Sequence, residues 1–102
     1  MTIFQTLETI GLPVAYSTFR KDGAPKAPPY LVYMGAGQDN FEADNTFYYS
    51  RNRYRLEYYF KDKDEAMETR IEGELLKNGL LYEKSDDAYI ESEGVYVIYY
   101  YF

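Results

Sequence analysis

Polar and apolar residues alternate without a break along residues 53–60: Tyr54, Leu56, Tyr58 and Phe60 fall on one side of an extended chain, Arg53, Arg55, Glu57 and Tyr59 on the other. That period of two predicts a strand with its apolar set turned to a core. Near the start, Ile3, Phe4, Leu7 and Ile10 lie on one helical stripe, and Thr2 followed by Gln5 matches a capping box. A short helix is predicted there. Gly11, which tolerates the left-handed conformation, closes it, and Pro13 cannot continue it. A second helix is predicted where Met67, Ile71 and Leu75 repeat every four residues, with Asp62 or Asp64 as its cap, Asn78 and Gly79 at its end, and its glutamates on the opposite, solvated side.

Between these elements the pattern is β-like. Residues 14–19 and 30–34 read as strands, and 46–60 as one long strand bent near Asn52. Residues 20–29, with three prolines, one glycine and four charges, read as a loop, as does the glycine- and Asx-rich stretch 35–45. Strands 30–34 and 46–60 then form an antiparallel hairpin with a long tip, and both loops are expected to be mobile in an isolated subunit. Residues 80–84 read as a short strand, 85–87 as a turn, and 89–102 as a long terminal strand open to interruption at Gly94. The order α-β-β-β-α-β-β predicts an α+β fold: a single, mostly antiparallel sheet with two helices packed on one face. At 102 residues this is one domain.

The composition narrows the chemistry. With no histidine and no cysteine, a Ser-His-Asp triad, a Cys-His pair, and zinc held by thiolate or imidazole are excluded. Ser17, Ser50, Ser85 and Ser92 have no base paired with them by spacing, so no catalytic residue is expected. Gly35 and Gly37 lack the third glycine and the following helix of a phosphate loop, and Asp39 and Asp44 lack EF-hand spacing. Neither a cofactor nor a metal is expected. A net charge of −6 argues against attraction to a nucleic-acid backbone, and no stretch approaches the roughly 20 apolar residues that span a bilayer. The expectation is a soluble intracellular protein with no membrane partner and no sequence-specific nucleic acid.

Surface chemistry is where this chain is distinctive. It holds 14 tyrosines, and the runs at 48–49, 58–59 and 99–101 must send rings to both faces of their strands, although two short helices cover only one. Arg51, Arg53 and Arg55 form a basic stripe that Tyr59 extends, while residues 83–93 carry five acids against one lysine. Contact between copies would use both signs. The candidate interface residues are therefore Arg51, Arg53, Arg55, Tyr59, Glu83, Glu91, Glu93, Tyr99 and Tyr101. Glu91 and Glu93, two apart in a strand, are placed on one solvated face.

Five collinear stretches, 7–16 (LETIGLPVAY), 27–34 (APPYLVYM), 39–48 (DNFEADNTFY), 52–58 (NRYRLEY) and 89–99 (YIESEGVYVIY), give the chain a further character. In these it resembles the small tail-terminator, or tail-completion, proteins of tailed bacteriophages and prophages of Gram-positive bacteria. The resemblance implies a non-enzymatic α+β subunit that forms a ring, commonly a hexamer, capping the tail tube and joining it to the head. Its partners would be copies of itself, the tail tube protein and the head-neck connector protein. Its place would be the host cytoplasm during assembly and then the virion. Two other readings stand beside it: an acidic inhibitory module that presents residues 83–93 as a mimic of nucleic-acid phosphates, and an enzyme working with carboxylates alone.

Overall fold

The structure, a computed structural model, describes residues 2–17, 27–43 and 47–102, with 39–43 and 47–50 followed as backbone. Helix α1, Ile3–Glu8, starts where the capping box predicts: the Gln5 N–H donates to Thr2 Oγ1 at 3.2 Å and the Thr2 N–H to Gln5 Oε1 at 2.9 Å. Helix α2, Glu65–Lys77, is capped by Asp64, which accepts the Met67 N–H at 3.2 Å. At its other end Gly79 sits at φ +75°, and the N–H groups of Gly79 and Leu80 return to the carbonyls of Leu76 and Leu75. These bonds satisfy carbonyls that a helix end would otherwise leave orphaned. Removing the Asp64 carboxylate, as Asp64→Ala, should cost about 1 kcal/mol; an unchanged urea midpoint would show that the cap contributes nothing.

Six strands follow the predicted α+β plan: β1 Val14–Tyr16, β2 Tyr30–Ala43, β3 Phe47–Phe60, β4 Glu83–Lys84, β5 Ala88–Ile90 and β6 Val95–Tyr101. The sheet runs β1-β2-β3-β6-β4, with β5 also paired to β6; β1 is parallel to β2 and every other pair is antiparallel. Both helices lie on one face. Leu7 and Ile10 of α1 and Ile71 and Leu75 of α2 meet Leu31, Leu56, Tyr58, Phe60, Ile98, Tyr100 and Phe102 in a single core. The alternation along 53–60 is realised as predicted, with Leu56, Tyr58 and Phe60 buried.

Three expectations change. Residues 35–43 are not a loop: β2 continues to Ala43, and its ladder with β3 is broken only by a register shift between Gly35 and Gln38. Gly37, at φ +90°, takes up the extra residue, so local glycine chemistry produces a bulge within a strand. The irregularity expected near Asn52 therefore lies on the opposing strand. Second, the terminal segment reverses direction: Ile90 faces Val95, Gly94 sits at φ +67°, and its N–H donates to Ile90 O at 2.8 Å. Glu91 and Glu93 thus belong to a turn, not to one face of a strand. Third, the 80–84 strand shortens to Glu83–Lys84. Residues 18–26 of the first predicted strand and loop, and 44–46 at the hairpin tip, lie outside the described residues.

The long hairpin sets the shape. Among the described residues, β6 pairs with β3 from Arg55 to Phe60, with one further rung between Tyr54 and Phe102, and β1 pairs with β2 from Leu31 to Tyr33. Beyond the bulge, 38–43 and 47–52 pair only with one another among the described residues. The molecule is 51 Å long, and its radius of gyration of 15.2 Å exceeds the value of about 13 Å for a compact chain of this length.

Candidate interaction surface

The sheet face away from the helices is built on a grid that the register dictates. Tyr30, Tyr59 and Val97 form one row across β2, β3 and β6, Val32, Glu57 and Tyr99 the next, and Met34, Arg55 and Tyr101 the third. Glu57 stands at the centre and is 6% exposed. Arg55 Nε approaches its Oε2 at 3.0 Å and the Tyr59 hydroxyl donates to its Oε1 at 2.6 Å. The Tyr59 hydroxyl is held well above its ordinary value of 10.0, first by burial and then by the bond to Glu57, so it stays protonated as a donor. Arg55 also lies over the Tyr99 ring, 5.7 Å from its centre, while Tyr59 stacks on Tyr30 at 4.9 Å and Tyr99 on Tyr101 at 6.3 Å.

This geometry separates the predicted interface residues. Arg55 and Tyr59 are engaged within the chain, holding the central carboxylate, and Tyr99 and Tyr101 are half-buried beside them. On the aromatic face Val32 and Val97 are buried, while Tyr30, Tyr59, Tyr99 and Tyr101 are half-buried. The side chains of Tyr48 and Tyr49 lie outside the described residues.

Farther along β3, exposed Arg51 and half-buried Arg53 line a notch past the end of β6, together with Leu81, Tyr82, Glu83, Tyr101 and Phe102. Glu83 thus shares a notch with the arginines of its own chain. Glu91 and Glu93 are exposed at the other end of β6, where the Glu93 charge adds to burial in raising the Tyr30 hydroxyl. One chain does not bring that turn and the arginine stripe together.

A second polar cluster was not anticipated. Glu68, expected on the solvated side of α2, is 4% exposed. Its Oε1 meets Lys84 Nζ and its Oε2 meets Lys63 Nζ, each at 2.8 Å. Lys84 also reaches Glu72 at 2.8 Å, and Glu72 accepts the hydroxyls of Tyr100 at 2.8 Å and Tyr82 at 3.2 Å. Burial alone would raise both carboxyls, but the lysines and hydroxyls outweigh it and hold them below their ordinary value. Lys84 is raised in return, its neighbouring carboxylates outweighing the burial that opposes its charge. Every charge here is fixed by a partner, which suits a structural pin between α2 and the sheet edge and gives no group poised to exchange a proton near neutrality. The spacing of Glu68 and Glu72 by one helical turn was the available signal, but Lys84 comes from a different element.

Among the described residues, no group of three or more acidic side chains is placed to hold a metal ion, and no helix is long and apolar enough to cross a membrane. No protein-family model, curated protein or solved structure matches the chain.

Proposed function

We propose that this chain is a structural assembly subunit that joins copies of itself into a ring, hexameric by its resemblance, at the end of a bacteriophage tail tube. There it contacts the tail tube protein on one side and the head-neck connector on the other. It assembles in the host cytoplasm and remains in the virion.

The observation that carries this reading is the ribbon formed by 38–43 and 47–52, whose strands pair only with each other among the described residues. A two-stranded hairpin outside a larger sheet is marginal in water, so a ribbon of this length gains from a neighbouring surface. Five collinear stretches of sequence, taken with the ribbon, favour a ring over a chance dimer. A second reading rests on the exposed Asp86, Asp87, Glu91 and Glu93 around one end of the sheet, which suit an acidic inhibitor of a nucleic-acid-binding protein.

Native mass spectrometry and sedimentation at increasing protein concentration distinguish the two. Assembly predicts a closed oligomer of one dominant size, and Arg51→Glu should weaken it in a salt-dependent way, by about 1 kcal/mol or less per contact. A chain that stays monomeric at every concentration, and in the presence of tail tube and connector proteins, would overturn the proposal; tight one-to-one capture of a nuclease would support the inhibitor.

A further inference from the structure

Among the described residues the ribbon carries two rows of backbone groups that no strand pairs, and their positions follow from hydrogen-bond parity. At the last rung of β3 and β6, the Tyr54 N–H donates to Phe102 O at 2.6 Å and the Phe102 N–H to Tyr54 O at 3.0 Å. Tyr54 therefore points away from β2. In an antiparallel strand every second residue does the same, so Asn52, Ser50 and Tyr48 present N–H and C=O on the side that β6 has vacated. On β2 the Leu31 N–H donates to Pro13 O at 2.8 Å and Tyr33 O accepts the Ser17 N–H at 2.7 Å, so odd-numbered residues face β1. The bulge between Gly35 and Gln38 shifts that parity by one. Gln38, Asn40 and Glu42 then point outward on the other edge.

We infer that the two edges are complementary halves of one joint: residues 47–52 of one copy receive residues 38–43 of a second copy as an added antiparallel strand. This rests on the self-assembly proposed above and specifies how it happens. Both edges span the same length and end at the same hairpin, and among the described residues no strand lies against either. Charge decides between the possible pairings. Joining 47–52 to itself would bring Arg51 toward Arg51, and joining 38–43 to itself would bring Asp39 and Glu42 toward their own kind; joining unlike edges sets basic against acidic. Leu81, 73% exposed, lines the notch where the added strand would begin, and it would be covered. Because the contact is heterologous, each added copy offers a fresh edge until the rotation closes.

Proline tests this joint without breaking the ribbon. At Ser50 or Asn40 it removes only an outward N–H, leaving the rungs between β2 and β3 intact. Ser50→Pro and Asn40→Pro, in the full chain, should each weaken self-association about tenfold while circular dichroism stays that of the wild type. Independently, hydrogen exchange on the wild-type chain should show the amides of Asn40, Glu42, Tyr48, Ser50 and Asn52 slowed at least about tenfold on assembly, with those of Asp39, Phe41, Tyr49 and Arg51 protected in the monomer as well. If a proline variant does not fold, the exchange measurement decides alone. Outward amides that exchange equally fast in monomer and oligomer would overturn strand addition while leaving the assembly reading in place. A wild-type chain that never associates would overturn both. Protection of the same amides by a strand of another protein, with no self-association, would replace the second copy as the occupant.

Discussion

Exchange of Tyr100 for alanine should lower the stability of the fold by about 3–5 kcal/mol, the cost of emptying a large aromatic site in a core. Tyr100 is fully buried, stands between Leu56 of β3 and Lys84 of β4, and packs edge-on against Tyr82 at 5.5 Å. Its hydroxyl is the second part of its role, donating to Glu72 at 2.8 Å. Tyr100→Phe keeps the ring and removes that donor, so it isolates the bond. A loss of about 1–2 kcal/mol is expected, because the acceptor is charged and partly buried. Urea unfolding of both variants separates packing from polarity. A phenylalanine variant as stable as the wild type would mean that water satisfies Glu72 equally well, and an alanine loss below about 2 kcal/mol would mean that the core collapses to refill the site.

Lys84→Ala should cost about 2 kcal/mol near neutral pH, less than the 3–5 kcal/mol for breaking a fully buried pair, because the lysine side chain is itself 34% exposed. The pH dependence is the sharper measurement. The carboxyls of Glu68 and Glu72 are lower in the fold than their ordinary value of 4.5, so the stability they contribute is complete above that value and is lost as pH falls below it. Lys84 is raised above its ordinary 10.5, so its share persists up to that pH and disappears beyond it. Between these limits the cluster holds full strength. Without Lys84, burial is left to act on Glu68 with only Lys63 opposing it, so the gap from its ordinary value narrows and the loss of stability below that value should be shallower. Unfolding free energies from about pH 3 to about pH 7 for wild type and variant would test this, and two parallel curves would remove the cluster as the source of acid sensitivity.

What could be read in advance was local. The period of two along 53–60, the Thr2 capping box and the closure at Gly79 are each decided by residues within a few positions of one another, and all three are realised. Residues 35–43 misled because two glycines and several Asx residues are turn formers in isolation, whereas here the partner strand supplies the ladder and Gly37 needs only to form a bulge. Gly94 illustrates the reverse: a positive φ serves an interruption and a hairpin turn equally, and only the pairing of Ile90 with Val95 distinguishes them. The candidate surface was legible as a list of residues on one face but not as a set of bonds. Arg55, Glu57 and Tyr59 are evident neighbours, yet that Glu57 holds both others, leaving Arg51 as the exposed arginine of the stripe, depends on burial at the centre of three strands. Glu68 was lost for the same reason, since Lys84 reaches it from another element.

The bulge at Gly37 makes the ribbon a lever. A bulge bends its strand and adds twist, so the heading of everything beyond it is set at one backbone position. Among the described residues that position is sterically open: a Cβ on Gly37 would meet none of their atoms within 4 Å, and the φ of +90° resists a side chain there. The arm beyond it is about 20 Å long at the rise of an extended chain, so a change of about ten degrees at its base carries the tip by about 3 Å. Substitution at Gly37 would therefore alter where the arm arrives, and the curvature of any structure these arms build would be set by one backbone angle at their base.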